Sequence, residues 1–385
     1  MNNELNKKVT RIIFAFVLVW SFAVYQNALE LKKEREWSFD REVQFYILER
    51  VAPAADDVTK RYSLQKKSSH ENKTSTNNSI EGKLHVWLGK TLYEYSENTE
   101  KKIKFKMRKG EGPGDCLIVN KIAYYDGQYV VWDRRLKRMT YFSEEGKLIG
   151  TERFKTLLFP ALVGKTGDNY IFKWNIFEGR RSSRFITEQV VMVNGKKKED
   201  QKVLAAYTGK LNKGEVGNFD RPSLLHSLSG KKFYYAKNLE YKIYVMDLNK
   251  PEPAPSLFIA KENKPLKWEK KYEDLQWEIS RKPRRKTELN YPPYVPPLFA
   301  IAASGDLLAA VTNEQVGKRK SVIDIFRRGK YLGSAAIPLL YEQYFIFPTF
   351  LNLPTNVYLS DHSLYTLHYF DDLEVYKIIK WRIDL

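Results

Sequence analysis

From Gly82 onward, apolar positions recur with a period of two, in short runs rich in Tyr, Val, Ile and Phe. Gly, Asp, Asn and Pro punctuate the runs. Lys102-Ile103-Lys104-Phe105-Lys106-Met107 alternates cleanly, which predicts a strand with one buried face. Trp87-Leu88-Gly89-Lys90-Thr91-Leu92-Tyr93-Glu94-Tyr95 predicts two strands around a tight turn. Long stretches with helical spacing are missing from this pattern, so helices are scarce and the chain reads as all-β.

The same phrase then returns. Tyr124-Tyr125-Asp126-Gly127-Gln128-Tyr129-Val130-Val131-Trp132-Asp133 leads through a polar break into Arg138-Met139-Thr140-Tyr141-Phe142 and on to Glu145-Gly146-Lys147. A second copy runs from Ala303-Ser304-Gly305-Asp306-Leu307 through Ser321-Val322-Ile323-Asp324-Ile325-Phe326 to Gly329-Lys330. Weaker copies begin near Gly167, Leu228 and Asn356. Six units fill residues 82–385, about 51 residues each. That period suits four-stranded blades set radially around an axis, whereas the coils of a β-helix are much shorter. The expected fold is a six-bladed β-propeller, its last blade closed by a strand from near the start of residues 82–385. Asp126, Asp133, Asp247 and Asp324 recur at repeat positions and read as acceptors for backbone N–H groups in turns.

The repeat phrase, with Lys109-Gly110-Glu111-Gly112-Pro113-Gly114-Asp115, resembles the bacterial six-bladed propellers related to NHL-repeat proteins. In that group a Gly-x-Gly-Pro-Gly-Glu/Asp turn joins one blade to the next, and a phrase like Asp126 to Lys147 follows. The resemblance implies the fold and a binding scaffold more than any one reaction. A related lyase branch places zinc, held by histidines, and calcium in the central channel. Carried over, this would make the chain a metal-dependent lyase or hydrolase with its site at the channel mouth. The candidate ligands are His85, His226 and His362, which fall in different units and lack the paired spacing of a zinc site. The expectation is therefore no cofactor, with zinc or calcium as the alternative. The glycines of residues 110–114 lack the Lys-Ser/Thr of a phosphate loop and read as turn formers.

The amino end carries a different pattern. Lys7, Lys8 and Arg11 precede 14 largely apolar residues, Ile12 to Tyr25. That is short for a bilayer span and right for an export signal, with Ser21-Phe22-Ala23 as the candidate cleavage point. Residues 1–26 are thus a signal peptide or an uncleaved signal anchor, and the rest is exported: periplasmic, extracellular or membrane-anchored. Residues 27–81 read as a stalk and flexible linker: a short exposed helix or stalk fits the first half of the charge-rich residues 27–50, Val43, Phe45 and Ile47 then alternate with a strand period, and Asp56 to Ser79 is a linker poor in apolar residues. A single cysteine, Cys116, excludes an intramolecular disulfide framework and reads as a buried thiol.

Charge narrows the partners. The chain has 65 Lys and Arg against 46 Asp and Glu, a net charge of +19, which draws anionic surfaces. Export disfavours nucleic acid and leaves a protein or an anionic glycan or lipid surface. The densest basic run, Arg281 to Lys286, lies in an insertion between the fourth and fifth units, residues 261–297. There Trp268, Tyr272, Leu275 and Ile279 predict one apolar helical face. Arg281, Arg284 and Arg285, with Trp277 on the opposite face, are the candidate partner contacts, because guanidinium forks pair with carboxylate or phosphate. No Ser-His-Asp grouping, nucleophile elbow or close carboxylate pair stands out, so the reading leans away from an enzyme.

Overall fold

A computed structural model describes residues 29, 31–39, 84–95, 101–125, 127–154, 160–180, 183–212, 223–264, 266–267, 294–314, 320–338, 340, 357–360, 363–370, 373 and 375–384. The described residues contain no α-helix. They form six radial sheets, the blades of a β-propeller.

The first described strand is β1 (Leu31–Phe39). The first blade holds β2 (Leu84–Leu88), β3 (Thr91–Tyr95) and β4 (Lys101–Lys106). The second holds β5 (Val119–Tyr125), β6 (Gln128–Asp133), β7 (Arg138–Ser143) and β8 (Leu148–Arg153). The third is built of longer strands: β9 (Ala161–Thr166), β10 (Asn169–Arg180), β11 (Ser183–Asn194) and β12 (Gln201–Asn212). The fourth comprises β13 (Leu224–Ser229), β14 (Lys232–Lys237), β15 (Lys242–Asp247) and β16 (Ser256–Ala260). A small ribbon, β17 (Leu266–Lys267) with β18 (Tyr294–Val295), closes the base of the insertion. The fifth blade is β19 (Leu298–Ser304), β20 (Leu307–Thr312), β21 (Lys320–Arg327) and β22 (Lys330–Pro338). The sixth is β23 (Val357–Ser360), β24 (Ser363–Phe370) and β25 (Val375–Ile383), with β1 added outside β25.

β1 corrects the sequence reading twice. Residues 31–39, expected in an exposed stalk, are a blade strand paired antiparallel with β25 from Leu31↔Ile383 to Phe39↔Tyr376. The strand that closes the ring therefore comes from upstream of residue 82, not from near it. The physical reason lies in Trp37 and Phe39, both buried among Leu84, Val86, Tyr365, Leu367 and Ile378 of the sixth and first blades. Two apolar anchors outweigh the surrounding charges, which form partly buried pairs: Glu36 with Lys377 at 2.6 Å and Glu34 with Lys380 at 3.0 Å.

Register identifies each strand's place. In every blade the second and third strands pair without interruption, and the third and fourth carry one register shift. In the first blade β2–β3 is uninterrupted and β3–β4 carries the shift. β2, β3 and β4 thus hold the second, third and fourth places. Burial agrees: β2 is nearly all buried, whereas β4 is mostly exposed, as β8 is.

The core consists of apolar layers between neighbouring blades, because each blade has two faces to cover and the next blade covers one of them. Trp87, Phe105, Tyr129 and Phe142 fill the first layer, with Phe105 stacked on Phe142 at 4.1 Å. Gly146, in the turn between β7 and β8, has φ +83° and lies where a Cβ would meet the Lys104 carbonyl oxygen at 1.9 Å. Only glycine satisfies both conditions at once.

Candidate functional site

Five strands, β5, β9, β13, β19 and β23, adjoin one another around the axis. Their residues line a partly open cavity of about 100 Å³. Side chains of one inner strand serve the backbone of the next. Asn120 accepts from the Leu162 N–H at 3.2 Å, Ser227 from the Ala303 N–H at 2.9 Å and Ser229 from the Gly305 N–H at 2.8 Å. Lys121 donates to the Val163 carbonyl. These bonds hold the channel wall together where the inner strands have no ladder partner.

The described lining is basic. It contains Lys121 of β5, Lys165 of β9 and His226 of β13, and no Asp or Glu. Behind His226, the buried Lys173 ammonium lies 3.4 Å from Glu188 and 3.3 Å from the Leu224 carbonyl. Glu188 also accepts from the Leu224 N–H at 2.6 Å. The His226 imidazole is pulled down to about 3 by burial, then by the cations of Lys173 and Lys121, against a hydrogen bond from its Nδ1–H to the Leu224 carbonyl. It is neutral at physiological pH.

A second basic assembly lies on one rim. Antiparallel order puts the turns between second and third strands and the blade-to-blade connections on the same face. There Asp133 and Arg138, both buried, tie residues 108–118 to the turn between β6 and β7. Asp133 accepts from the N–H groups of Arg135 and Leu136 at 2.9 Å each and of Leu117 and Ile118 at 2.5 and 3.2 Å. Arg138 donates to the carbonyls of Glu111 and Asp115, each at 2.7 Å. The glycine-rich segment is thus a turn, with Gly114 at φ +77°, and it joins the first blade to the second. Upon it stand Lys90, Arg108, Lys109, Arg134, Arg135 and Lys137, with the carboxylates of Glu111 and Asp115 among them. Arg108 pairs with Asp115 at 3.4 Å while its side chain stays 85% exposed.

Arg281, Arg284, Arg285 and Trp277 lie outside the described residues, as do His362, Asp126 and residues 1–26. The base of the insertion is described. Asn313 donates to the carbonyls of Lys264 and Val295, and Lys261 reaches the fully buried Asp324 at 2.8 Å. Asp324 also accepts from Tyr241 at 2.6 Å and from Ser334. It therefore departs from the turn role expected of the repeated aspartates, which Asp133 and Asp247 do fill. Burial and the adjoining Asp324 carboxylate raise the Tyr241 phenol far above its ordinary range.

The structure does not bring His85 and His226 together. His85 sits between the first and second blades, 3.2 Å from both Glu94 and the Tyr129 hydroxyl, whereas His226 faces the axis. Among the described residues no three His, Cys, Asp or Glu side chains group as a metal site would require. Cys116 is buried, and burial, with Asp133 nearby, pushes its thiol up to about 11. Sequence reasoning missed Lys121 and Lys165. They stand about one repeat apart among many lysines, and no local signal marks them as axial.

No protein-family model and no curated protein matches the chain. Solved structures similar in chain path include a member of the DUF4221 family from Bacteroides vulgatus, at 12% identity and TM-score 0.45, covering 93% of this chain and 99% of that one. A candidate exported protein from Bacteroides fragilis shows 10% identity and TM-score 0.46, covering 93% and 97%. A virginiamycin B lyase from Staphylococcus aureus shows 11% identity and TM-score 0.36, covering 92% and 100%. At these identities the likeness is one of form; it carries no relation to NHL-repeat proteins and no activity.

Proposed function

We propose that the chain is an exported or membrane-anchored propeller that acts as a non-enzymatic binding scaffold for a protein or anionic ligand. The observation that carries this reading is the rigid basic rim of the first two blades. Asp133 and Arg138 fix its backbone, so six cationic side chains are presented from a surface that loses little entropy on binding. A basic surface of this kind steers anionic partners and holds them in a salt-dependent way. The run Arg281 to Lys286, which lies outside the described residues, is a further candidate contact by its charge alone. The basic amino end followed by an apolar segment supports export.

Retention of the purified chain on a heparin column, eluted with a salt gradient, tests the surface. The expected result is that Arg108→Ser/Lys109→Ser/Arg134→Ser/Arg135→Ser elutes at clearly lower salt, with thermal stability nearly unchanged. Equal elution of variant and wild type overturns the assignment of this rim. A reporter active only after export, fused behind residue 80, tests localisation; a silent fusion overturns that part.

A further inference from the structure

β1 takes up residues 31–39, so the chain expected to hold the propeller away from a membrane is built into its sixth blade. Just before it, the Leu29 N–H donates to the Ser334 carbonyl of β22 at 3.2 Å, and Leu29 and Leu31 pack on the apolar layer between the fifth and sixth blades. The chain thus reaches the propeller at its circumference, between the outermost strands of two neighbouring blades. In the sequence only Gln26, Asn27 and Ala28 separate Leu29 from Tyr25, the end of the apolar amino-terminal segment. Four residue steps span at most about 14 Å whatever their conformation. The head groups of one leaflet take up roughly 5–8 Å of that, which leaves Leu29 within about 10 Å of the lipid surface. We propose that, in the membrane-anchored form of the protein on which this inference rests, the short tether holds the outer edge of the fifth and sixth blades against the bilayer, in contact with its anionic head groups.

The side chains around the entry point suit a head-group layer. Tyr331 of β22 is 42% exposed and shares a hydrogen bond with the Ser334 hydroxyl. Aromatic rings with a polar tip gather at the membrane–water interface. Lys330, next to it, is exposed and has no ion pair among the described residues. Lys32 of β1 and Arg328 are exposed too, paired with Asp384 at 3.2 Å and Asp306 at 2.8 Å. Lipid phosphates compete for exposed cations of this kind. The ring then sets what faces away. Among six blades the second stands opposite the fifth and the third opposite the sixth. The part of the basic rim at the turn between β6 and β7 is therefore held on the far side of the propeller, where it meets partners from solution.

The test uses the full chain, purified from a bacterial membrane fraction and reconstituted into vesicles of phosphatidylglycerol and phosphatidylcholine. Lys32→Cys, Lys330→Cys and Arg135→Cys, each in a Cys116→Ser background, carry a small fluorophore, and a nitroxide on the lipid head group is the quencher. Cys116 is buried, so it can be left in place if its replacement does not fold. The expected result is that the nitroxide removes at least half of the emission at positions 32 and 330 and almost none at 135. A flexible insertion of about 12 Gly and Ser residues after Asn27 adds roughly 20 Å of reach and should restore most of that emission. Chain that does not float with the vesicles, or that is recovered from cells cut after Ala23, overturns the anchor and the edge contact with it. Chain that floats intact overturns the edge contact alone if position 135 is quenched as strongly as 32 and 330, or if none is quenched. So does quenching that the insertion leaves undiminished, since the short tether then does not set the distance.

Discussion

Closure of the ring by β1 can be tested by removing it. In a chain that begins at residue 40, β25 has an open edge and the sixth blade loses its outer strand. Trp37 and Phe39 are 7% and 6% exposed. Burying a side chain of that size stabilises by about 2–3 kcal/mol, so the pair contributes about 5 kcal/mol. The partly buried pairs of Glu36 with Lys377 and Glu34 with Lys380 add up to about 1 kcal/mol each. A folded domain of ordinary stability has only about 5–15 kcal/mol in total. The truncated chain should therefore be marginal or unfolded, and Trp37→Ala/Phe39→Ala should be a milder version of the same defect. In urea, with a slope of about 3 kcal/mol/M, the double variant's unfolding midpoint should fall by roughly 1.5 M or more. The assay is far-ultraviolet circular dichroism across a urea series, with a chain beginning at residue 29 as reference. If the chain beginning at residue 40 unfolds within about 0.3 M of that reference, β1 is an ornament on a ring closed by other means, and the reasoning fails.

Asp324→Ala strands the Tyr241 hydroxyl and leaves Lys261 beside an empty site; a loss of about 3 kcal/mol is expected in urea unfolding. Lys261→Met in the same chain should recover part of it, as a double-mutant cycle would show. Arg138→Met removes both bonds to the Glu111 and Asp115 carbonyls and should cost about 2–3 kcal/mol. Hydrogen exchange should then speed up in residues 110–118 before it does elsewhere. His226 makes the fold acid-sensitive: its folded value is about 3, so the unfolded chain takes up the proton first. Stability is full above about pH 6.5 and falls as pH drops toward 3, by about 1.4 kcal/mol at pH 5.5. His226→Gln should flatten that part of the pH–stability curve measured in chloride; an unchanged slope would mean that the ring titrates freely in the folded chain.

Period-two alternation, glycine-marked turns and a phrase returning about every 51 residues were enough to read six blades from the amino acids alone. These are local signals, and each strand and turn carries its own. The glycine-rich turn at 110–114 and the buried state of Cys116 were legible for the same reason. What the chain's order could not show is which distant segments meet. β1 carries Lys32, Lys33, Glu34, Arg35 and Glu36, the composition of an exposed stalk, and becomes a blade strand only because β25 offers an open edge and two blades offer a pocket for Trp37 and Phe39. Asp324 and Asp133 look like copies in the repeat phrase, yet Asp133 ends β6, a second strand, whereas Asp324 lies within β21, a third strand, where Tyr241 and Lys261 from the neighbouring blade capture its carboxylate. His85 and His226 look equivalent as scattered histidines; blade position sends one into an interblade layer and the other to the axis. Lys121 and Lys165 converge because the blades turn around a common axis, a rotation that no pattern within one repeat encodes. Alternation dictates which face of a strand is buried, but the neighbour that buries it is chosen by closure of the ring, and closure is a property of the whole chain.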